Sequence, residues 1–326
     1  MKPGKLLGLA AKIGASAALL WLALRGIDFA AAWRALGQVD MRLVLAGPLA
    51  IFSMEIVGGL RWHMLLRAHG VHLTPSRSVG LTLIGNFFNS GLPSTFGGDA
   101  ARVFYAAKGG ATLPAVAATT LLDRFAGVSC VTFATLYATT WGDLADVLGP
   151  IWHGIAVTLS VGILMGFVVL AAINYVPRPK SWSRPRANGT GWKAVLLDTL
   201  MAIAQLRVSV GTTALAVIVS VPVFVLVGLA LAGISAASGD DFALGIARGI
   251  ALAGPMMLVS SVPISFAGWG VREVFLVHVF PLLGLPAEVG LVTSLLYGLG
   301  TIAGTAPGLL VWLAIQRPAA ETSKTG

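Results

Sequence analysis

Long apolar runs alternate with short polar punctuation along the whole chain. Crossing a bilayer core of about 30 Å takes roughly 20 apolar residues. Runs of that kind fall at Leu6–Leu24, Leu43–Leu60, Leu113–Thr140, Ile155–Val176, Val208–Ala232 and Val289–Ile315. They predict six full spans. The segment Ile27–Val39 is too polar to cross, and Phe29, Trp33 and Leu36 suggest a short helix lying at the interface. Two further stretches, Val79–Ala107 and Phe242–Gly284, are apolar but broken. In the first, Val79 to Pro93 is only 15 residues, about 22 Å of helix and short of a crossing. Each stretch predicts a re-entrant pair of helices. One full crossing from Val79 to Gly98 is the alternative for the first.

The break in the first stretch is unusually polar. Asn86 and Asn89 precede Pro93, and Gly97-Gly98-Asp99 leads to Arg102. Irregular backbone at membrane depth survives only when buried in protein or lining a wet cavity. The pattern returns 170 residues later. Val262–Arg272 aligns with Leu92–Arg102 without a gap, pairing Pro93 with Pro263, Phe96 with Phe266, Gly98 with Gly268 and Arg102 with Arg272. Leu113-Pro114-Ala115 and Leu285-Pro286-Ala287 follow, then Thr119–Leu122 and Thr293–Leu296. Three matches in one order indicate an internal duplication, with repeat one centred on 79–140 and repeat two on 242–315. Three full spans lie between the broken pairs, and an odd number makes the repeats inverted. Paired, interrupted segments in two halves point to a transport site.

Composition fits this picture. The chain has 326 residues, 56% of them hydrophobic and 11% charged, which leaves no room for a separate soluble domain. The expected fold class is an all-α integral membrane protein: a polytopic helical bundle with inverted repeats and two re-entrant pairs, forming one transmembrane domain over 1–326. The formal charge of +9 sits mostly in short loops. Arg61, His63, Arg67, His69, His72 and Arg77 follow the second span, and Arg178, Lys180, Arg184, Arg186 and Lys193 mark a basic loop at 177–193. Both read as cytoplasmic, which puts both termini in the cytoplasm of a multi-pass cell inner-membrane protein. A sequon at Asn188 then falls on the wrong side. The first run reads as an uncleaved span rather than a signal peptide. No basic patch is interleaved with aromatics, so nucleic acid is not expected. A single cysteine, Cys130, cannot form an intramolecular disulfide.

No Walker loop, GxSxG or HExxH occurs, and His69 and His72 lack a carboxylate or Cys nearby to complete a metal site. No catalytic residue, cofactor or metal is therefore assigned. Intramembrane ionisable residues are functional hypotheses by default. They are Glu55, Asp99, Arg102, Asp123, Arg124, Arg248, Arg272 and Glu273. Internal pairing is the plain reading: Asp99 or Asp123 with Arg102 or Arg124, and Glu273 with Arg272. Arg102 and Arg272 stand out because they recur beside a Pro- and Gly-rich break. A guanidinium suits phosphate, and broken-helix termini offer N–H donors to an anion. The candidate ligand-binding residues are Asn86, Asn89, Pro93, Gly97, Gly98, Asp99, Arg102, Asp123, Arg124, Pro263, Gly268, Arg272 and Glu273. Gly300, Gly304 and Gly308, and Gly162 with Gly166, read as close helix-packing faces.

Several of these features together resemble the transmembrane region of lysylphosphatidylglycerol synthases over nearly the whole chain. They are Arg61-Trp62, Asn89, Leu92-Pro93, Gly97-Gly98-Asp99, Arg102, Arg124 with Gly127, and Pro263, Gly268, Gly270 and Arg272-Glu273. That family includes free-standing, flippase-like proteins, some linked to hopanoid synthesis or cell-surface glycosylation. In two-domain members the membrane part is thought to flip an aminoacylated phospholipid made by a soluble domain. The chain ends about ten residues after the last span, so neither synthase activity nor the lysyl-lipid is expected to carry over. The resemblance implies a flippase or transporter of a phosphate-bearing lipid or lipid-linked intermediate. The alternative is a non-transporting accessory subunit or a membrane enzyme acting on a lipid-linked substrate. A two-sided pocket favours the first, and a one-sided pocket with a clustered carboxylate and base favours the second. A lipid head group, a separate lipid-synthesising enzyme and a second copy of the chain are the partners compatible with this reading.

Overall fold

The structure is a computed structural model and describes residues 3–37, 40–91, 97–140, 143–173, 175, 209–237, 244–262, 264–265 and 267–316. Thirteen helices account for nearly all of the described residues: α1 Pro3–Leu24, α2 Phe29–Gly37, α3 Met41–Ala68, α4 Pro75–Gly91, α5 Gly97–Lys108, α6 Leu113–Thr140, α7 Asp143–Ile173, α8 Val210–Val219, α9 Val221–Ala237, α10 Ile246–Ser260, α11 Val271–Leu282, α12 Ala287–Thr305 and α13 Pro307–Gln316. The protein is an all-helical, polytopic membrane protein. Five segments are long and apolar enough to cross: Gly47–Ala68, Leu113–Thr140, Leu144–Ile173, Val210–Ala236 and Ala287–Gln316. A sixth is counted if Ala10–Leu24 and Phe29–Gly37, which meet at an 89° bend, are taken together as one span. Trp33 on α2 is 75% exposed, as an interfacial helix requires. The basic loop 177–193 and its sequon lie outside the described residues, as do Pro93 and Pro263.

Three boundaries differ from the sequence reading. The second span does not stop at Leu60. α3 continues to Ala68, so Arg61, His63 and Arg67 are helical rather than in a loop. The segment between Trp141 and Trp152 is helical from Asp143, with a kink where Gly149 adopts φ 70° ahead of Pro150. The span Val210–Ala236 is broken at Ser220, between α8 and α9.

α3 is the axis of the bundle. It packs on α4, α6, α8, α9 and α12, and its neighbours fix the direction of both broken pairs. Gly59 of α3 lies against Val79, and Glu55 bonds Asn86, so α4 runs antiparallel to α3. α5 doubles back along α4: Asn89 accepts from the Gly98 N–H at 2.9 Å, and Arg77 lies against Gly109 at the base. The first broken stretch is therefore a hairpin, not one crossing. Gly300 and Gly304 of α12 sit on Pro48 and Ile51 of α3, and Gly308 on Leu83 and Ile84 of α4. Hence α12–α13 runs parallel to α3. α11 is antiparallel to α12, because Gly290 meets Leu276 and Phe280 while Gly298 meets Arg272 and Trp269. The base of the α4–α5 hairpin thus lies toward the carboxyl end of α3. The base of the α10–α11 pair lies toward its amino end, and the inner ends of both approach the middle.

The halves also exchange packing. α10 of the second half packs on α6 of the first, and α13 packs on α4. The small residues explain the contact. Gly254 faces the Thr135 backbone at a distance where a Cβ would meet it at 2.9 Å, and Gly308 plays that part against α4. Gly166 packs on Phe125, whereas Gly162 has open space. Around this frame, Ile51, Leu231, Leu252, Met256, Leu276 and Phe280 form one core. Trp62, Leu66, Leu81, Ile84, Ala106 and Val116 form another under the first hairpin.

Candidate functional site

A cavity of about 400 Å³ opens where the two hairpins approach α3. Its polar and charged lining includes Glu55, Arg61, Thr82, Asn86, Asn89, Arg102, Asp123, Arg124, Arg272 and Tyr297. Val223 and Phe224 of α9 and Met256, Met257 and Leu258 of α10 supply apolar lining. Of the sequence candidates, Asn86, Asn89, Arg102, Asp123, Arg124 and Arg272 share this cavity. Gly97, Gly98, Asp99, Gly268 and Glu273 stand outside its lining. Arg248 lies in the first turn of α10, also outside.

The first half holds its charges in a network across three helices. Asp123 of α6, 3% exposed, accepts from Arg61 Nε of α3 at 2.8 Å and from Arg102 Nη1 and Nη2 of α5 at 3.3 Å. Asp99 is 3.4 Å from Arg102 and 2.6 Å from Arg124 Nε. Arg61 Nη1 donates to Ser220 Oγ at 2.7 Å, using the break between α8 and α9. The Arg102 guanidinium stacks 4.4 Å from the Trp62 ring centre. Buried charges are tolerated only when paired and bonded in this way.

The second half is more self-contained. Arg272 Nη2 donates to Glu273 Oε1 at 2.7 Å, and Arg272 Nε donates to Ser294 Oγ of α12 at 2.9 Å. Ser294 in turn donates to Glu273 Oε1 at 2.9 Å. Trp269 and Tyr297 flank the guanidinium at 5.1 and 5.5 Å. Gly268 and Gly270 adopt φ 81° and 93°, a turn that an L side chain resists, and this turn delivers Arg272 to the cavity.

Two backbone donors turn out to be occupied. The Gly98 N–H goes to Asn89, and the Gly270 N–H goes to Glu273 Oε2 at 2.6 Å. One N–H at each broken-helix end is therefore used within the protein. The open donors are on guanidinium groups instead. Arg124 Nη1 and Nη2, Arg61 Nη2, Arg272 Nη1 and the buried Arg102 Nε have no acceptor among the described residues. Thr82 Oγ1, in the lining of the same cavity, is buried without a partner too.

Arg61 is the main residue that the sequence reading misplaced. It ends an apolar run within a cluster of basic residues, which reads as a loop. Its signal was helical spacing, since Glu55, Gly58 and Arg61 recur every three residues and all line the cavity. Ser220 and Ser294 carried no signal beyond being polar within apolar runs. Among the described residues no group of three or more His, Cys, Asp or Glu could hold a metal ion.

A helical membrane bundle with two oppositely directed broken hairpins around a charged central cavity has the architecture used for sites at mid-membrane. Residues 9–308 match the family described as the lysylphosphatidylglycerol synthase TM region, and the chain belongs to that family. It is thereby a membrane protein of lipid metabolism or flipping. A search of curated proteins finds no match to the chain.

Proposed function

We propose that this protein binds the phosphate-bearing head group of a lipid, or of a lipid-linked intermediate, in the central cavity and moves it between leaflets. The observation that carries this reading is the cavity's construction. Arginines of both hairpins, with unused donors, line one space that also has apolar lining from α9 and α10. An anionic head group matches the arginines and acyl chains match the apolar side chains. Each charge-assisted contact contributes about 1.5–3 kcal/mol, and the forked geometry of arginine suits phosphate. Inverted hairpins supply two gates, one toward each leaflet, as alternating access requires. The asymmetry of charge places the stronger hold in the first half.

On this reading both termini face the cytoplasm of the inner membrane, and a separate lipid-synthesising enzyme supplies the substrate on that side. Reporter fusions at Ser183 and Asp240 should read inside and outside respectively. In proteoliposomes, the parent protein moves a fluorescent phosphatidylglycerol across the bilayer. Arg102→Ala and Arg272→Ala each slow it about tenfold or more while remaining folded, and Arg→Lys restores only part of the rate. Parent-like rates in both folded alanine variants would show the arginines to be structural.

A further inference from the structure

Glu55 differs from every other carboxylate around the cavity. Asp99, Asp123 and Glu273 each lie within ion-pair distance of an arginine. Glu55 is 5% exposed, lines the cavity, and has no cation within that distance among the described residues. Its partner is a neutral amide: Asn86 Nδ2 of α4 donates to Glu55 Oε2. The cationic groups of the cavity wall stand further off, on each element around it. They are Arg61 on α3 itself, Arg102 on α5, Arg124 on α6 and Arg272 on α11. α6 also presents Asp123 and Cys130, and α12 presents Tyr297, while α4, α8 and α9 present no titratable side chain to the cavity.

With Asp99 and Glu273 standing behind the wall, four arginines face four carboxylates when Glu55 is ionised. Protonation of Glu55 leaves this set one charge positive. We propose that Glu55 is a proton-binding site coupled to the anionic head group, so that lipid and proton occupy the cavity together. This rests on the lipid-anion reading above. The proton passes from hydronium to a Glu55 carboxylate oxygen: one O–H bond of hydronium breaks, one forms at the carboxyl, and a water molecule is left. An anion entering a neutral pocket lacks a counter-charge, whereas with Glu55 protonated the pocket supplies one. Binding of each then favours the other by the same factor, because linkage is reciprocal. Coupling of this kind harnesses a proton gradient to drive net movement of the lipid. Glu55 is placed to report its state to the first hairpin, since its hydrogen bond reaches α4 directly.

The test uses the full chain in detergent with dihexanoylphosphatidylglycerol, a short-chain phosphodiester that does not titrate near neutral pH. Calorimetric titration runs from mildly acidic to mildly alkaline pH in two buffers of different ionisation enthalpy. The wild type should bind more tightly as pH falls, by up to about tenfold per unit, the ceiling for one linked proton. It should take up nearly one proton per lipid. Glu55→Gln, isosteric and permanently neutral, should take up none and lose the slope. The deacylated glycerophosphoglycerol should bind more weakly, because it leaves the apolar lining of α9 and α10 uncovered, and equal affinity would overturn the lipid as ligand. Wild-type binding without proton uptake overturns the coupling and leaves the lipid reading standing. Undiminished uptake in Glu55→Gln overturns the assignment to Glu55. Absence of binding at every pH overturns the lipid reading and the coupling with it. If Glu55→Gln does not fold, the proton count of the wild type decides.

Discussion

The two hairpins carry equivalent arginines and hold them by different means. Arg102 bridges Asp123 and Asp99, stacks on Trp62, and shares Asp123 with Arg61. Its partners come from α3, α5 and α6, so the network ties three helices together. Arg272 is paired with its own sequence neighbour Glu273 and with one hydroxyl, Ser294. Its aromatic neighbours, Trp269 and Tyr297, align in the repeat with Asp99 and Asp123 of the first half. One duplicated element thus gives a charge network that locks helices in one half and a locally supported arginine in the other.

Variants can break or sharpen that contrast. The largest effect is expected at Asp123. Asp123→Ala leaves Arg61 and Arg102 without their shared counter-ion, and losing one partner of a buried pair costs about 3–5 kcal/mol. Thermal unfolding in detergent should show a large loss of stability, relieved in part by the added change Arg61→Leu. A parent-like melting temperature would mean the network holds nothing together. Next comes Gly98→Ala. A Cβ there runs into the Gly85 carbonyl and Asn89, and overpacking of this kind costs about 1–3 kcal/mol. It should part α5 from α4 and show as faster proteolysis or hydrogen exchange confined to the first hairpin. The smallest effect belongs to the second half. Ser294→Ala removes one hydroxyl bridge and should cost about 1 kcal/mol, with Arg272 still held by Glu273. If Ser294→Ala destabilises as much as Asp123→Ala, the contrast between the hairpins is wrong.

Much of this was legible before any coordinates. The apolar runs gave the spans, and the matching Pro-, Gly- and Arg-bearing breaks gave the duplication and its two key arginines. Three spans between the breaks predicted opposite directions, and the contacts of Gly59, Gly290, Gly298, Gly304 and Gly308 agree. The glycine faces were read as packing faces, and Gly300, Gly304, Gly308 and Gly166 serve that purpose. Arg61 carried only the weak signal of its helical spacing from Glu55 and Gly58, and a basic residue at the end of an apolar run otherwise looks the same whether it enters a loop or turns inward. That Asn89 and Glu273 fold back on the Gly98 and Gly270 N–H groups was not legible either, because it depends on the local turn.

The sequence by itself determined the class of the protein, its internal repeat and the identity of the buried charges, because these depend on composition, period and local chemistry. Only the tertiary structure decided how the charges pair. It gave Asp123 to two arginines, Glu273 to its neighbour, and Glu55 to no cation among the described residues. Pairing depends on distances between residues that lie far apart in the chain, Arg61 and Asp123 or Glu55 and Asn86. Those distances are set by glycine contacts and helix directions that no local pattern encodes.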